Sequence, residues 1–430
     1  MNMKKETKQK EIELLFTLQG RDKIKVFTLC TENICRLLRD HEIFKDKLKF
    51  DEFTQLTYVN FDNGWEQIKD YHTVKVMNEI AKNFSFFQKV SNNMVNEAII
   101  VVAQENKFDS AKDYFKSLKW DNVPRVDTWL SETYGVENNE YHRSVGSNWI
   151  KGLVKRIVYP GCKFDHILVI EGEQGTGKST SLSVLGGQWY LETFMNTESK
   201  DFFMQFTGNA IIEFSEGETL NRTDVKRMKA IITTQVDRYR APYARFAEDH
   251  PRRCVFAMTT NETEYLKDDT GNRRWLPIRM ERSMANIEWL RENRDQLFAE
   301  AYHRVVSLKE SVYEFPIEEM RRQQEARMEE SPYQERIEDW FFNQLKQDAR
   351  NKGITAQLVW ETVINATPSF SKPITRYEEM VITGIFKKIG LEKRRIMVNG
   401  RRCNRWFLKD EFISTTTLKV TDYINDYDDL

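Results

Sequence analysis

Cysteine is scarce in this chain and badly placed for metal or crosslinks. Cys30, Cys35, Cys162, Cys254 and Cys403 are scattered, odd in number and form no CxxC pair. Neither a structural zinc site nor a disulfide framework is expected from them. Long apolar runs are missing too: none approaches the roughly 20 residues that a membrane span needs. The first ten residues, Met1 to Lys10, are charged and have no apolar stretch behind them, which excludes a signal peptide. Internal repeats are absent and low-complexity sequence is minor. Together these absences predict a cytoplasmic protein with no membrane partner. The formal net charge of −1 decides nothing about a nucleic-acid partner, because the local charge is uneven. What remains is ample material for cores: 430 residues, 40% hydrophobic and 12% aromatic, enough for about three domains.

The most informative segment is Gly172-Glu173-Gln174-Gly175-Thr176-Gly177-Lys178-Ser179. A glycine, four residues and then Gly-Lys-Ser is the pattern of a phosphate-binding loop. The apolar run His166–Ile170 before it reads as a buried parallel strand, and Ser179–Leu185 after it can open a helix. The glycines let successive N–H groups turn toward one anion, and the helix N-terminus adds partial positive charge at the same place. Gly172, Gln174, Gly175, Thr176, Gly177, Lys178, Ser179 and Thr180 are the expected nucleotide-binding residues. Lys178 would reach the β and γ phosphates, and the Ser179 hydroxyl would hold Mg²⁺. The expected ligands are therefore ATP and Mg²⁺.

Such a loop needs an acid on a neighbouring strand. Ala210-Ile211-Ile212-Glu213-Phe214-Ser215-Glu216 supplies two, with Glu213 placed for the metal and Glu216 for the attacking water. The usual Asp-Glu pair is absent, so the division of labour between them stays open. A further apolar strand, Cys254–Met258, ends in Thr259-Thr260-Asn261, whose amide could meet the γ-phosphate or the water. Gly271-Asn272-Arg273-Arg274 follows, and either arginine could present its fork of donors to a phosphate. The predicted catalytic set is Lys178, Glu213, Glu216, Asn261, Arg273 and Arg274, with Ser179 and Glu213 at the metal.

Alternating strand-like and helix-like segments around this loop argue for an α/β core. The expected layout is a disordered tail over 1–12, a mostly helical N-terminal domain over 13–125 and the nucleotide domain over 126–310. A helical connector over 311–332, a winged-helix-like domain over 333–410 and an acidic tail over 411–430 complete it. In the N-terminal domain, 48–59 reads as a hairpin and 74–103 as one long apolar-periodic stretch. In the C-terminal domain, helices over 333–346, 355–364 and 375–389 precede strands over 391–398 and 401–408. Asn399-Gly400 between those strands is a strong hairpin signal.

Two basic clusters point to nucleic acid. Between Lys226 and Arg253, the residues Lys229, Arg238, Arg240, Arg245, Arg252 and Arg253 are interleaved with Tyr239, Tyr243 and Phe246. Cations grip phosphates and rings offer stacking faces. From Gly384 to Lys409 there are nine Lys/Arg, including Lys393, Arg394, Arg395, Arg401 and Arg402, against the single acid Glu392. That hairpin could contact duplex DNA.

The chain resembles the virulence-associated E family of phage and genomic-island replication proteins, which carry a superfamily 3 type of AAA+ domain. The likeness rests on Trp120-Asp121 with Arg125, Tyr159-Pro160-Gly161-Cys162-Lys163, Glu171–Ser179, Glu213–Glu216, Tyr239–Tyr243, Thr260-Asn261 and Gly271–Arg274. It covers about residues 100–280 well and the first hundred weakly. The resemblance implies a ring, a hexamer, moving 3′-to-5′ on single-stranded DNA, with its arginine finger acting in trans. It implies that 240–253 is a hairpin lining the ring's channel. No paired-Asp primase signature is present, so a separate primase polypeptide is expected as partner. Three classes of function compete. The first is a replicative helicase on single-stranded and forked DNA in a bacterial cytoplasm. The second is an ATP-dependent loader, remodeller or initiator that does not unwind. The third is a small-molecule kinase, against which the arginine motif, the basic hairpin and the chain length argue.

Overall fold

The computed structural model describes residues 12–61, 64–194, 201–215, 222–240, 246–266, 272–328, 331, 333–365, 373–398 and 401–409, without the side chains of Arg222 and Tyr377. Glu216, Tyr243, Arg245, Gly271, the Asn399-Gly400 turn and the expected tails before residue 12 and after residue 409 lie outside the described residues. The chain divides into two compact units, residues 1–263 with 271–325, and residues 264–270 with 326–430.

The first unit begins with the hairpin β1 (Phe16–Gln19) and β2 (Ile24–Phe27). Helix α1 (Thr31–Asp40) buries Ile34, Leu37 and Leu38, the three-to-four spacing of one helical face. The expected hairpin is present as β3 (Leu48–Asp51) and β4 (Leu56–Val59), with Leu48 opposite Val59 and both buried. The short β5 (Glu66–Gln67) pairs with β4. The stretch read as one apolar-periodic run is instead two helices, α2 (Asp70–Asn83) and α3 (Asn92–Glu105). Ser91 restarts the helix by accepting a hydrogen bond from the Met94 N–H. Two-residue β6 (Lys107–Phe108) completes a four-stranded sheet, which packs beside the longer helices of this region. Helix α4 (Ser110–Ser117) follows, capped by Asp109.

Packing continues across residue 125, where a domain boundary was expected. Phe53 and Phe115 share one core with the strands and helices that follow, and Trp189 packs edge-on against Phe53. Helices α5 (Trp129–Tyr134) and α6 (Glu140–Val158) lead to β7 (Ile167–Glu171) and α7 (Lys178–Gly186). Then come β8 (Tyr190–Thr193), β9 (Ile211–Phe214), α8 (Arg222–Thr233), the hairpin β10 (Val236–Tyr239) and β11 (Glu248–Pro251), and β12 (Val255–Thr260). β13 (Trp275–Arg279), α9 (Ile287–Tyr302) and α10 (Ile317–Glu325) close the unit. The central sheet has the order β13-β7-β12-β9-β8 and every neighbouring pair is parallel. Leu168, Ile170, Ala257, Leu276 and Ile278 pack with α5, α6, α7 and α9 in one core. The alternating residues Ile167, Val169, Phe256 and Met258 are also buried. Both faces are covered, as the near-continuous apolar strands require.

The second unit holds α11 (Gln334–Asp339), α12 (Gln347–Lys352), α13 (Ala356–Val359) and α14 (Arg376–Lys388), then β14 (Leu391–Val398) and β15 (Arg401–Leu408). The turns of α11 and α13 continue as wider helix through Gln344 and Ile364. Thr375 and Glu378 form a reciprocal capping box on α14. The last two strands carry the bounds expected from the sequence. Ile354 adds a bridge to Trp406 of β15, and Gly353, at φ +75°, leaves room for the Phe407 ring, which a Cβ would meet at 2.5 Å. Ile337, Trp340, Val359, Ile382, Phe386, Leu391 and Trp406 form the core of this unit.

Candidate nucleotide site and nucleic-acid interface

The glycine-rich loop lies where β7 hands over to α7. Gly175 and Gly177 sit at φ +80° and +88°, a conformation that side chains rarely tolerate, and Gly177 is the N-cap of α7. Backbone ties hold the loop from behind: Ala285 N–H donates to Thr176 O at 2.9 Å, and Asn286 N–H to Thr133 O at 2.8 Å. Buried Tyr134 shares a 2.6 Å hydrogen bond with Ser181 in the first turn of α7. Burial pushes its phenol well above the ordinary range, so it stays neutral.

Lys178 is 8% exposed, and its ammonium donates to Gly172 O at 2.6 Å, Glu173 O at 2.7 Å and the Asn261 amide oxygen at 3.0 Å. Glu213 is fully buried. Its Oε1 accepts from the hydroxyls of Ser179 and Thr259, both at 2.6 Å, and its Oε2 from the Tyr190 hydroxyl at 2.5 Å. The parallel register explains the convergence. Thr260 of β12 pairs with Glu171 of β7, and Ala257 of β12 with Glu213 of β9, so the three strand ends deliver their polar residues to one edge. A cavity of about 410 Å³ opens there, lined by Gln174 through Thr180, Thr259, Thr260, Asn261 and, at its rim, Phe194, Met284 and Ile287. That volume suits a nucleotide-sized ligand. Ser179 and Glu213 offer two hard oxygens side by side, which fits Mg²⁺, a cation that takes few protein ligands and completes its shell with phosphate and water.

Arg273 and Arg274 lie at the opposite end of the sheet. Trp275 pairs with Ile167 and Arg279 with Glu171, so four residues of strand separate these arginines from the loop of their own chain. At about 3.3 Å per residue that is roughly 13 Å or more. Arg273 is exposed, while Arg274 is half-buried and bonds Thr233 at 3.1 Å. Sequence reasoning passed over Arg279, which ends β13 at the loop side. It lines a second cleft of about 350 Å³ that shares Thr176 and Asn261 with the first. Its only signal is its position at the end of the apolar run 275–278. Tyr190 was also missed: it is in no motif, and only the strand order brings it to Glu213.

The basic segment before β12 does form a hairpin. Tyr239 stacks on His250 at 3.9 Å between ring centres and 8° between planes. Arg238 and Arg240 are exposed, and Phe246 is 76% exposed near the tip. Lys229, on α8, is half-buried. Arg252 and Arg253 require correction as DNA contacts. Arg252 is 3% exposed and forked onto Asp237 at 2.6 and 2.7 Å, with a further bond to Ile231 O. Arg253 donates to Asp109 at 2.6 Å and to Ile157 O, and lies over the Phe53 ring. Both close the hairpin's base because each faces a carboxylate in the interior. On the C-terminal hairpin, register puts Lys393, Arg395 and Arg402 on one face and Arg394 and Arg401 on the other. All but Arg394 are exposed; Arg394 is half-buried and bonds Glu392.

A parallel five-stranded α/β core with a loop-borne lysine, a buried carboxylate and an amide meeting at one edge is the class of protein defined so far. The pattern of the virulence-associated protein E-like domain matches residues 115–338, over half of the chain. The chain belongs to the virulence-associated protein E-like family. A search among curated proteins finds no match. Among solved structures, the A form of the apo NrS-1 C-terminal region shares the fold, with a TM-score of 0.51 and 13% identity over 89% of this chain and 100% of that one. Another apo structure of that region gives 0.48 at 16% identity, over 84% and 95%. Among the described residues, no helix is long and apolar enough to cross a membrane.

Proposed function

We propose that this chain is an ATP-dependent DNA helicase that replicates a phage or a mobile genomic island. It works as a hexameric ring on single-stranded and forked DNA beside a separate primase. Its core is a superfamily 3 type of AAA+ ATPase, and its second unit is a winged helix. The observation that carries this reading is the convergence of Lys178, Asn261, Ser179 and Glu213 at one sheet edge. Family membership and the sheet order support the AAA+ assignment. The hairpin β10–β11, entering β12 with exposed Arg238 and Arg240, supports a DNA-lined channel. Helices α11 to α14 followed by a basic hairpin support the winged helix.

In this reading the loop N–H groups and Lys178 cradle the β and γ phosphates. Ser179 and Glu213 would hold Mg²⁺, which when bound would supply positive charge against the phosphate oxygens. Asn261 senses the γ-phosphate, and Glu216 orients the attacking water. Arg273 or Arg274 reaches the site of the next subunit. The test is ATP hydrolysis with and without a single-stranded oligonucleotide, with Lys178→Ala as control. Hydrolysis by wild type alone, stimulated by the oligonucleotide, is expected. Hydrolysis indifferent to DNA would overturn the DNA-motor reading.

A further inference from the structure

The Glu213 carboxylate is fully buried, and among the described residues three hydroxyls orient it. Two of them, Ser179 and Thr259, share Oε1, the oxygen that faces the glycine-rich loop. Among the described residues, only Tyr190 holds Oε2, at 2.5 Å. Its approach is built into the fold. Tyr190 starts the edge strand β8, two residues before Glu192, which pairs with Glu213. The chain reaches this strand from α7 through one tight turn, Gly187–Trp189, and the last residue of that helix is Gly186. A Cβ there would stand 2.5 Å from the Tyr190 Cβ, so glycine is what lets the tyrosine sit so close. The ring packs against the central core.

We propose that Tyr190 is a positioning residue for the metal carboxylate: by pinning Oε2 of Glu213 it presents Oε1 alone to Ser179 and to the cation they share. This inference rests on the nucleotide reading above. A bound cation would take a lone pair of the Ser179 oxygen, whose hydrogen can stay on Oε1. Tyr190 and Thr259 would be the further donors that keep the carboxylate from rotating. A hydrogen bond to a charged group is worth more than a neutral one.

The test uses the full chain, Mn²⁺ as the probe and a non-hydrolysable ATP analogue, with bound Mn²⁺ read by electron paramagnetic resonance. Tyr190→Phe removes one oxygen and keeps the packed ring. It should weaken analogue-dependent Mn²⁺ binding by about tenfold and, because the buried Oε2 loses its donor, lower the thermal midpoint by a few degrees, while analogue binding in EDTA to the folded protein stays close to wild type. Equal Mn²⁺ affinity in Y190F and wild type would overturn the inference. On a Glu213→Gln background, Y190F should cause no further loss. A further tenfold loss there would also overturn it, because the tyrosine would then act through another group. Wild type that binds no Mn²⁺ with the analogue would instead remove the nucleotide reading itself.

Discussion

The Asn261 amide oxygen accepts a 3.0 Å hydrogen bond from the Lys178 ammonium, joining the tip of β12 to the first residue of α7. The same ammonium also bonds two carbonyls of its own loop. A γ-phosphate would compete for all three contacts, so Asn261 is placed to respond to it. Asn261→Ala should keep nucleotide binding and lower hydrolysis by about 10²–10³, the usual loss when one aimed polar group is removed. Lys178→Ala should lose hydrolysis entirely. Binding assays with an ATP analogue beside turnover assays separate the two effects.

Arg273 and Arg274 are too far along β13 to reach their own loop. Arg273→Ala/Arg274→Ala and Lys178→Ala should each lower turnover by about 10³ or more. Mixing the two inactive proteins should restore part of the activity, because some sites then pair an intact loop with an intact arginine from the neighbour. Turnover of the mixture at different ratios measures this. A mixture as inactive as its components contradicts action in trans.

Arg252 and Arg240 should separate by phenotype. Removing Arg252 leaves Asp237 as a buried charge without its bidentate partner, and Arg252→Ala should cost about 3–5 kcal/mol of stability. Arg240→Ala should leave stability unchanged, weaken binding to single-stranded DNA and flatten its salt dependence by about one phosphate contact. Urea unfolding and oligonucleotide titrations at several salt concentrations check both.

His166, just before β7, has its pKa pushed down to about 4. Burial is the main cause, with the Arg274 and Arg273 guanidiniums adding to it and Asp165 opposing. The unfolded chain takes up this proton near pH 6.5, and the folded chain holds off until about 4. Stability is therefore full above pH 6.5 and falls with pH, by about 2 kcal/mol at pH 5. His166→Phe should remove that part of the slope. Urea midpoints of both proteins at pH 7.5 and 5 measure it, and parallel pH dependence would contradict the assignment.

How much of this was legible in the sequence depended on how local the determinants are. The loop 172–179 and the strands 391–398 and 401–408 were readable because their residues are contiguous. The pairing of Tyr190 with Glu213 was not, because it spans 23 residues and depends on β8 lying beside β9. Arg252 looked like a DNA grip for the same reason: only the β10–β11 register turns it onto Asp237. The break between α2 and α3 hid behind apolar residues, Phe84, Phe86 and Phe87, that continue the hydrophobic pattern without continuing the helix. In the N-terminal sheet, β5 and β6 are two residues each, too short to show alternation.

The most direct test of the account is strand separation of a forked duplex with a free 3′ tail, driven by ATP and Mg²⁺, with Lys178→Ala as control. The account predicts unwinding by the wild-type chain and none by the variant. ATP hydrolysis by the wild type without any strand separation would contradict the helicase and favour a loader or remodeller.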